Sequence, residues 1–92
     1  MTLNGIISSN GSDGQNNGAG SGGSVYIITN EFTGIGLISA DGGNDNYGGA
    51  GGGGRIAVYY NSSDFLSDNI QVNGGNALYG LGEDGSVVLL KN

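Results

Sequence analysis

Gly48–Tyr60 reads GGAGGGGRIAVYY, a run almost without side chains that passes directly into a strand made mainly of them. Two cousins lie on either side of it: Gly18–Ile28, GAGSGGSVYII, and Gly80–Leu90, GLGEDGSVVLL. A glycine-rich approach thus leads three times into an aliphatic strand. Superposing the copies gives the period directly, because Val25, Ile56 and Val87 each follow a Gly-x pair at steps of 31 residues. Upstream, Ile7-Ser8-Ser9-Asn10-Gly11 matches Ile38-Ser39-Ala40-Asp41-Gly42 and Ile70-Gln71-Val72-Asn73-Gly74, at steps of 31 and 32. Met1 aligns with Phe32, and Phe65 takes that place in the third copy. The chain reads as one module of three repeats, 1–31, 32–64 and 65–92. Each repeat is a strand, an Asn/Asp-Gly turn, a glycine-rich loop, a second strand and a short return.

Strand composition assigns the faces. Residues 24–29, SVYIIT, are β-branched and aromatic. Alternate positions across the copies give two purely aliphatic columns, Val25/Ile56/Val87 and Ile27/Val58/Leu89, expected in the core together with Ile7/Ile38/Ile70. Phe32 and Phe65, each preceded by an acid, are expected to stack at a corner of the core, with Met1 extending that column. The opposite strand face carries Tyr26, Ile28, Tyr59 and Leu90, too apolar for a solvated face, so it is expected to be covered by the glycine-rich loop or by a neighbouring protein. No 3.6-residue pattern of helix length occurs, so helix content is expected near zero.

Asn10-Gly11, Asp41-Gly42 and Asn73-Gly74 end the first strand of each copy with a pair that tolerates positive φ. Recurrence at one period predicts a ladder in which Asn10, Asp41 and Asn73 each bond their neighbour one copy away. For the glycine-rich loops two readings stand: bare main chain stacked on itself, or mobile segments.

The expected fold is all-β, a parallel β-solenoid of about three coils, with a small β-sandwich as the alternative. Coils spaced ~4.8 Å apart would leave open strand edges at both ends, aligned for a further coil. The chain is then either a slice of a longer repeat array or a subunit that polymerises end to end.

Chemistry is constrained by what is missing. The 92 residues include 22 glycines and no Pro, Cys or His, so thiolate metal sites, disulfides and imidazole catalysis are not offered. Eight acids against two bases give a net charge of −6, which disfavours nucleic acid and anionic membrane. No stretch approaches the ~20 apolar residues of a membrane span, and residues 1–10 do not read as a signal peptide.

Gly42–Gly49, GGNDNYGG, resembles part of the calcium-binding nonapeptide repeats of secreted bacterial toxins and proteases, which makes Asp41 and Asp45 the calcium candidates. The match is a single imperfect copy. The glycine loops lack a following Lys-Ser/Thr and a helix, so they do not read as nucleotide sites. Asp41 with Asp45, or Glu83 with Asp84, are the nearest carboxylate pairs for glycoside hydrolysis, although turn duty accounts for each. Asn10-Gly11-Ser12 and Asn61-Ser62-Ser63 fit the N-glycosylation acceptor pattern at Asn10 and Asn61. Arg55 is either solvated or paired with Glu83 or Asp84 of the next copy.

Taken together, "NGIISSNG", "GSGGSVYI", "LISADGG" and "GGGGRIAVYY" resemble the glycine-rich repeats of very large secreted and cell-surface proteins, of the right-handed parallel β-helix kind found in bacterial adhesins and some protist surface proteins. The resemblance implies an extracellular or cell-surface role, structural or adhesive, and the leading expectation is a non-enzymatic structural module without a cofactor, calcium aside. Its partner is expected to be more of the same chain, as a homopolymer or tandem repeats. The alternative is an adhesin-like module that binds calcium, or sugar through Tyr26, Tyr47, Tyr59, Tyr60 and Tyr79. A fragment of a carbohydrate-active enzyme comes third.

Overall fold

The computed structural model describes all 92 residues. It is all-β, built from six strands and one 3-10 turn at Ser67–Asn69. The strands are β1 (Ile6–Ser8), β2 (Ser24–Phe32), β3 (Leu37–Ser39), β4 (Arg55–Ser63), β5 (Ile70–Gln71) and β6 (Ser86–Lys91). They form two three-stranded sheets, ordered β1-β3-β5 and β2-β4-β6, and every pairing is parallel. No helix is long and apolar enough to cross a membrane.

The register is the repeat. Val25 pairs with Ile56 and Ile56 with Val87, while Ile7 pairs with Ile38 and Ile38 with Ile70. The 31-residue step runs from Ser24↔Arg55 to Phe32↔Ser63. Two further residues, Asp64 and Phe65, then bring the Phe65 ring beneath Phe32, with centroids 4.3 Å apart and planes 20° from parallel. The step from Phe32 to Phe65 is thus 33, and because the return from Phe65 to Ile70 is one residue shorter than that from Phe32 to Ile38, the step from Ile38 to Ile70 is 32. At the other end Thr2 bridges Thr33, and their hydroxyls lie 3.0 Å apart.

Side chains fill the space between the two sheets, and depth within the stack decides burial. Ile38, Ile56 and Val58, all in the middle copy, are at most 1% exposed, and Phe32, Ala40 and Phe65 complete the buried cluster. Val25, Ile27, Ile7 and Ile70 pack against that cluster but are only partly buried. Val87 and Leu89 depart from expectation, at 38% and 37% exposed. They share columns with Ile56 and Val58 but have a copy on one side only, so half of each contact surface stays open. Met1 is similarly 40% exposed at the first copy.

The glycine-rich segments are packed main chain. Of 45 backbone hydrogen bonds, 27 lie outside the helices and strands, many of them in these segments, which decides against mobile loops. Bonds within a copy alternate with bonds between copies. Gly20 N–H donates to Ser12 O (2.8 Å), Gly43 N–H to Gly20 O (2.9 Å), Gly51 N–H to Gly43 O (2.9 Å), Gly75 N–H to Gly51 O (2.8 Å) and Gly82 N–H to Gly75 O (2.9 Å). A Cβ on Gly51 would sit less than 3.0 Å from the Gly20 carbonyl oxygen, so close backbone approach demands glycine there.

Candidate functional site

Three surfaces carry the residues that the sequence singles out. The first is the turn ladder. Asn10 Oδ1 accepts from Asp41 N–H, and Asp41 Oδ1 accepts from Asn73 N–H, both at 2.8 Å. A parallel column that sequence reasoning missed stands three residues on: Asp13 Oδ1 accepts from Asn44 N–H (2.9 Å), and Asn44 Oδ1 from Asn76 N–H (2.8 Å). Its steps of 31 and 32 repeat those of the first column, and that shared spacing was the signal available to find it. In both columns a side-chain oxygen replaces a main-chain acceptor, so the stack continues through a turn where strand pairing has stopped. The columns flank a groove of about 480 Å³ lined by no hydrophobic residue.

Both columns have direction. At the third copy, Asn73 and Asn76 have given their N–H groups to the copy below, and their Oδ1 atoms have no copy above to meet. At the first copy, the N–H groups of Asn10 and Asp13 have no partner. Acceptors at one end therefore match donors at the other in the same columns. The strand edges repeat this arrangement, since β1 and β2 are open on one side of the stack and β5 and β6 on the other.

The second surface is the outer face of β2-β4-β6, and the structure corrects the expectation that the glycine loop covers it. Tyr26 is 66% and Ile28 70% exposed, and Leu90 is 48% exposed. The glycine segments hydrogen-bond to one another instead, which keeps them in their own layer. The exposed face forms rows across the three strands: Ser24/Arg55/Ser86, then Tyr26/Ala57/Val88, then Ile28/Tyr59/Leu90. Beyond them Asn61 Nδ2 donates to Asn30 Oδ1 at 2.7 Å. The Tyr26 and Tyr59 rings lie 5.4 Å apart, tilted by 44°.

The third is the tip of the glycine loops. Asp45 is only 8% exposed; its Oδ1 accepts from Asn16 N–H (3.0 Å), while its buried Oδ2 has no partner. Asn16, Gly18 and Gly49 around it adopt positive φ. Asp41 stands in the ladder rather than beside this carboxylate as a second ligand.

The five tyrosines do not form one platform: Tyr26 and Tyr59 lie on the sheet face, Tyr60 packs against the core, and Tyr79 N–H donates to Tyr47 O (2.7 Å) at the loop tip. Arg55 is exposed on the sheet face, and Asp84 is engaged elsewhere, accepting from Gly74 N–H at 2.9 Å. Of the two glycosylation acceptors, Asn61 has its Nδ2 bound to Asn30, and Asn10 has its Oδ1 in the ladder. Comparison of the chain with known proteins returned no matching family model, no matching curated protein and no matching solved structure.

Proposed function

We propose that the chain is a non-enzymatic structural module, a β-solenoid of three coils that stacks end to end into an extracellular fibre or cell-surface stalk. One observation carries this reading: the unused Oδ1 acceptors of Asn73 and Asn76 match the unused N–H donors of Asn10 and Asp13. Such a heterologous, head-to-tail contact does not close on itself and generates a filament. Charge agrees with it, because the junction sets the neutral Asn73 against Asn10 and Asn76 against Asp13, so no two carboxylates become neighbours in a column. The same contact serves separate subunits or tandem copies in a longer chain. The extracellular placement rests on the resemblance to secreted repeat proteins. Electron microscopy and fibre diffraction of the purified protein test the proposal. A continuous filament with a meridional spacing near ~4.8 Å is expected, and a discrete monomer at high concentration overturns it.

A second reading is favoured by Asp45. A buried carboxylate oxygen without a partner calls for a counter-charge, and the only two cationic side chains, Arg55 and Lys91, both stand on the β2-β4-β6 sheet. A hard cation held by Asp45 and loop carbonyls would supply it. On this reading chelator lowers the unfolding temperature of the wild type but not of Asp45→Asn; indifference of the wild type to chelator removes it.

A further inference from the structure

We propose that the outer face of β2-β4-β6 pairs with the same face of a second copy of this chain, about a two-fold axis parallel to the stacking direction. The proposal goes beyond end-to-end stacking and depends on it only for strength. A flat, apolar, exposed face rimmed by polar rows has the character of an interface, and two sheets pack face to face at ~10 Å.

Size and charge select the axis. With strands aligned and the two middle strands opposed, two identical sheets meeting face to face are related by a two-fold axis either along their strands or along the stack. An axis along the strands puts like on like in the middle copy: Arg55 on the second copy's Arg55, Tyr59 on Tyr59, and Ala57 on Ala57. That arrangement sets cation against cation, bulk against bulk and a gap against a gap. An axis along the stack reverses strand direction instead. Ala57 then faces the second copy's Tyr59, so the smallest side chain meets the ring, and Tyr26 faces Ile28. Arg55 faces the second copy's Asn61, whose Nδ2 is committed to Asn30 and whose Oδ1 is free to accept from the guanidinium. The exposed acids Glu31 and Asp64 lie just beyond that row, so the cationic end of one face meets the acidic end of the other.

This axis also preserves stack polarity. Both copies present their Asn73 and Asn76 acceptors at the same end, so two stacks grow side by side in one direction. Three strands at ~4.8 Å by seven residues at ~3.3 Å give a face of about 300 Å². That is well short of the ~800 Å² per partner of a stable complex. A lone pair is therefore weak, and pairing strengthens as units are added along the stack.

The chain has no cysteine, so engineered thiols report on a clean background. Arg55→Cys and Asn61→Cys proteins are prepared separately, mixed at high concentration, and treated with a short bifunctional thiol reagent that spans the gap between opposed side chains of faces ~10 Å apart. The expected product is the cross-linked heterodimer, in at least about tenfold excess over either homodimer, because opposed residues on faces ~10 Å apart lie beyond a direct disulfide but within reach of the short linker, while like residues are displaced along the strands. Cross-linking of Arg55→Cys to itself with equal efficiency, or no enrichment of the mixed species, overturns the proposal. Electron microscopy of the wild type reads stacking independently. Single-width filaments without the mixed cross-link leave stacking intact and sink the pairing. The mixed cross-link without filaments does the reverse.

Discussion

The sheets and the glycine segments stack the same three copies by opposite means. In the sheets, Ile38, Ile56 and Val58 fill the space between strands, so the layers are held by buried hydrocarbon as well as by ladder hydrogen bonds. In the glycine segments nothing lies between the backbones, and hydrogen bonds running both within and between copies do the work alone. The sheet half therefore tolerates exchange among aliphatic residues, as Val25/Ile56/Val87 demonstrates, whereas the glycine half tolerates change only where its main chain faces open space. Where bare backbone is the packing surface, one methyl group is a large perturbation.

Substitutions at five positions would break or sharpen that contrast, each read by chemical denaturation. Gly51→Val inserts a branched side chain where a Cβ already collides with the Gly20 carbonyl, a main-chain atom that cannot swing away. The expected loss is about 4 kcal/mol or more, and a small loss would show that the glycine layer is looser than described. Phe32→Ala removes a buried ring and its stacking on Phe65, with an expected cost of about 3 kcal/mol. Leu89→Ala, at the half-open end of its column, should cost about 1 kcal/mol or less; equal costs would mean that the end copies are covered by further copies in solution. Asp41→Ala deletes the acceptor for Asn73 N–H and should cost about 1 kcal/mol, while Asp41→Asn, which keeps the carbonyl, should stay near wild type. A large loss in the Asn variant would mean that the ladder depends on charge. Smallest of all, Gly48→Ala should fall within about 0.5 kcal/mol of wild type, since nothing lies within 4 Å of a Cβ there.

The repeat was legible because in-register parallel pairing sets like residues against like. Val25, Ile56 and Val87 could be aligned by eye at the step that the strands then use. The Asn10 ladder was legible for the same reason, and the Asp13 column carried an equal signal in the same 31 and 32 steps. The glycine layer was not legible, because a residue without a side chain has the same appearance in a mobile loop and in a packed one. Nor was the open face, since Tyr26 and Ile28 are as apolar as core residues and only the path of the glycine segments decides whether they are covered.

By itself the sequence determined the period, the strand columns, the corner Phe32–Phe65 stack and the first Asx ladder, because each is a residue type recurring at a fixed spacing. The tertiary structure alone decided how deeply each member of a column is buried, that the glycine segments interlock, and that one sheet face stands open. Those depend on which copies lie above and below and on where the backbone runs between strands, quantities that no residue encodes singly. Val25 and Val87 are the same residue in one column, yet one is partly buried and the other is 38% exposed.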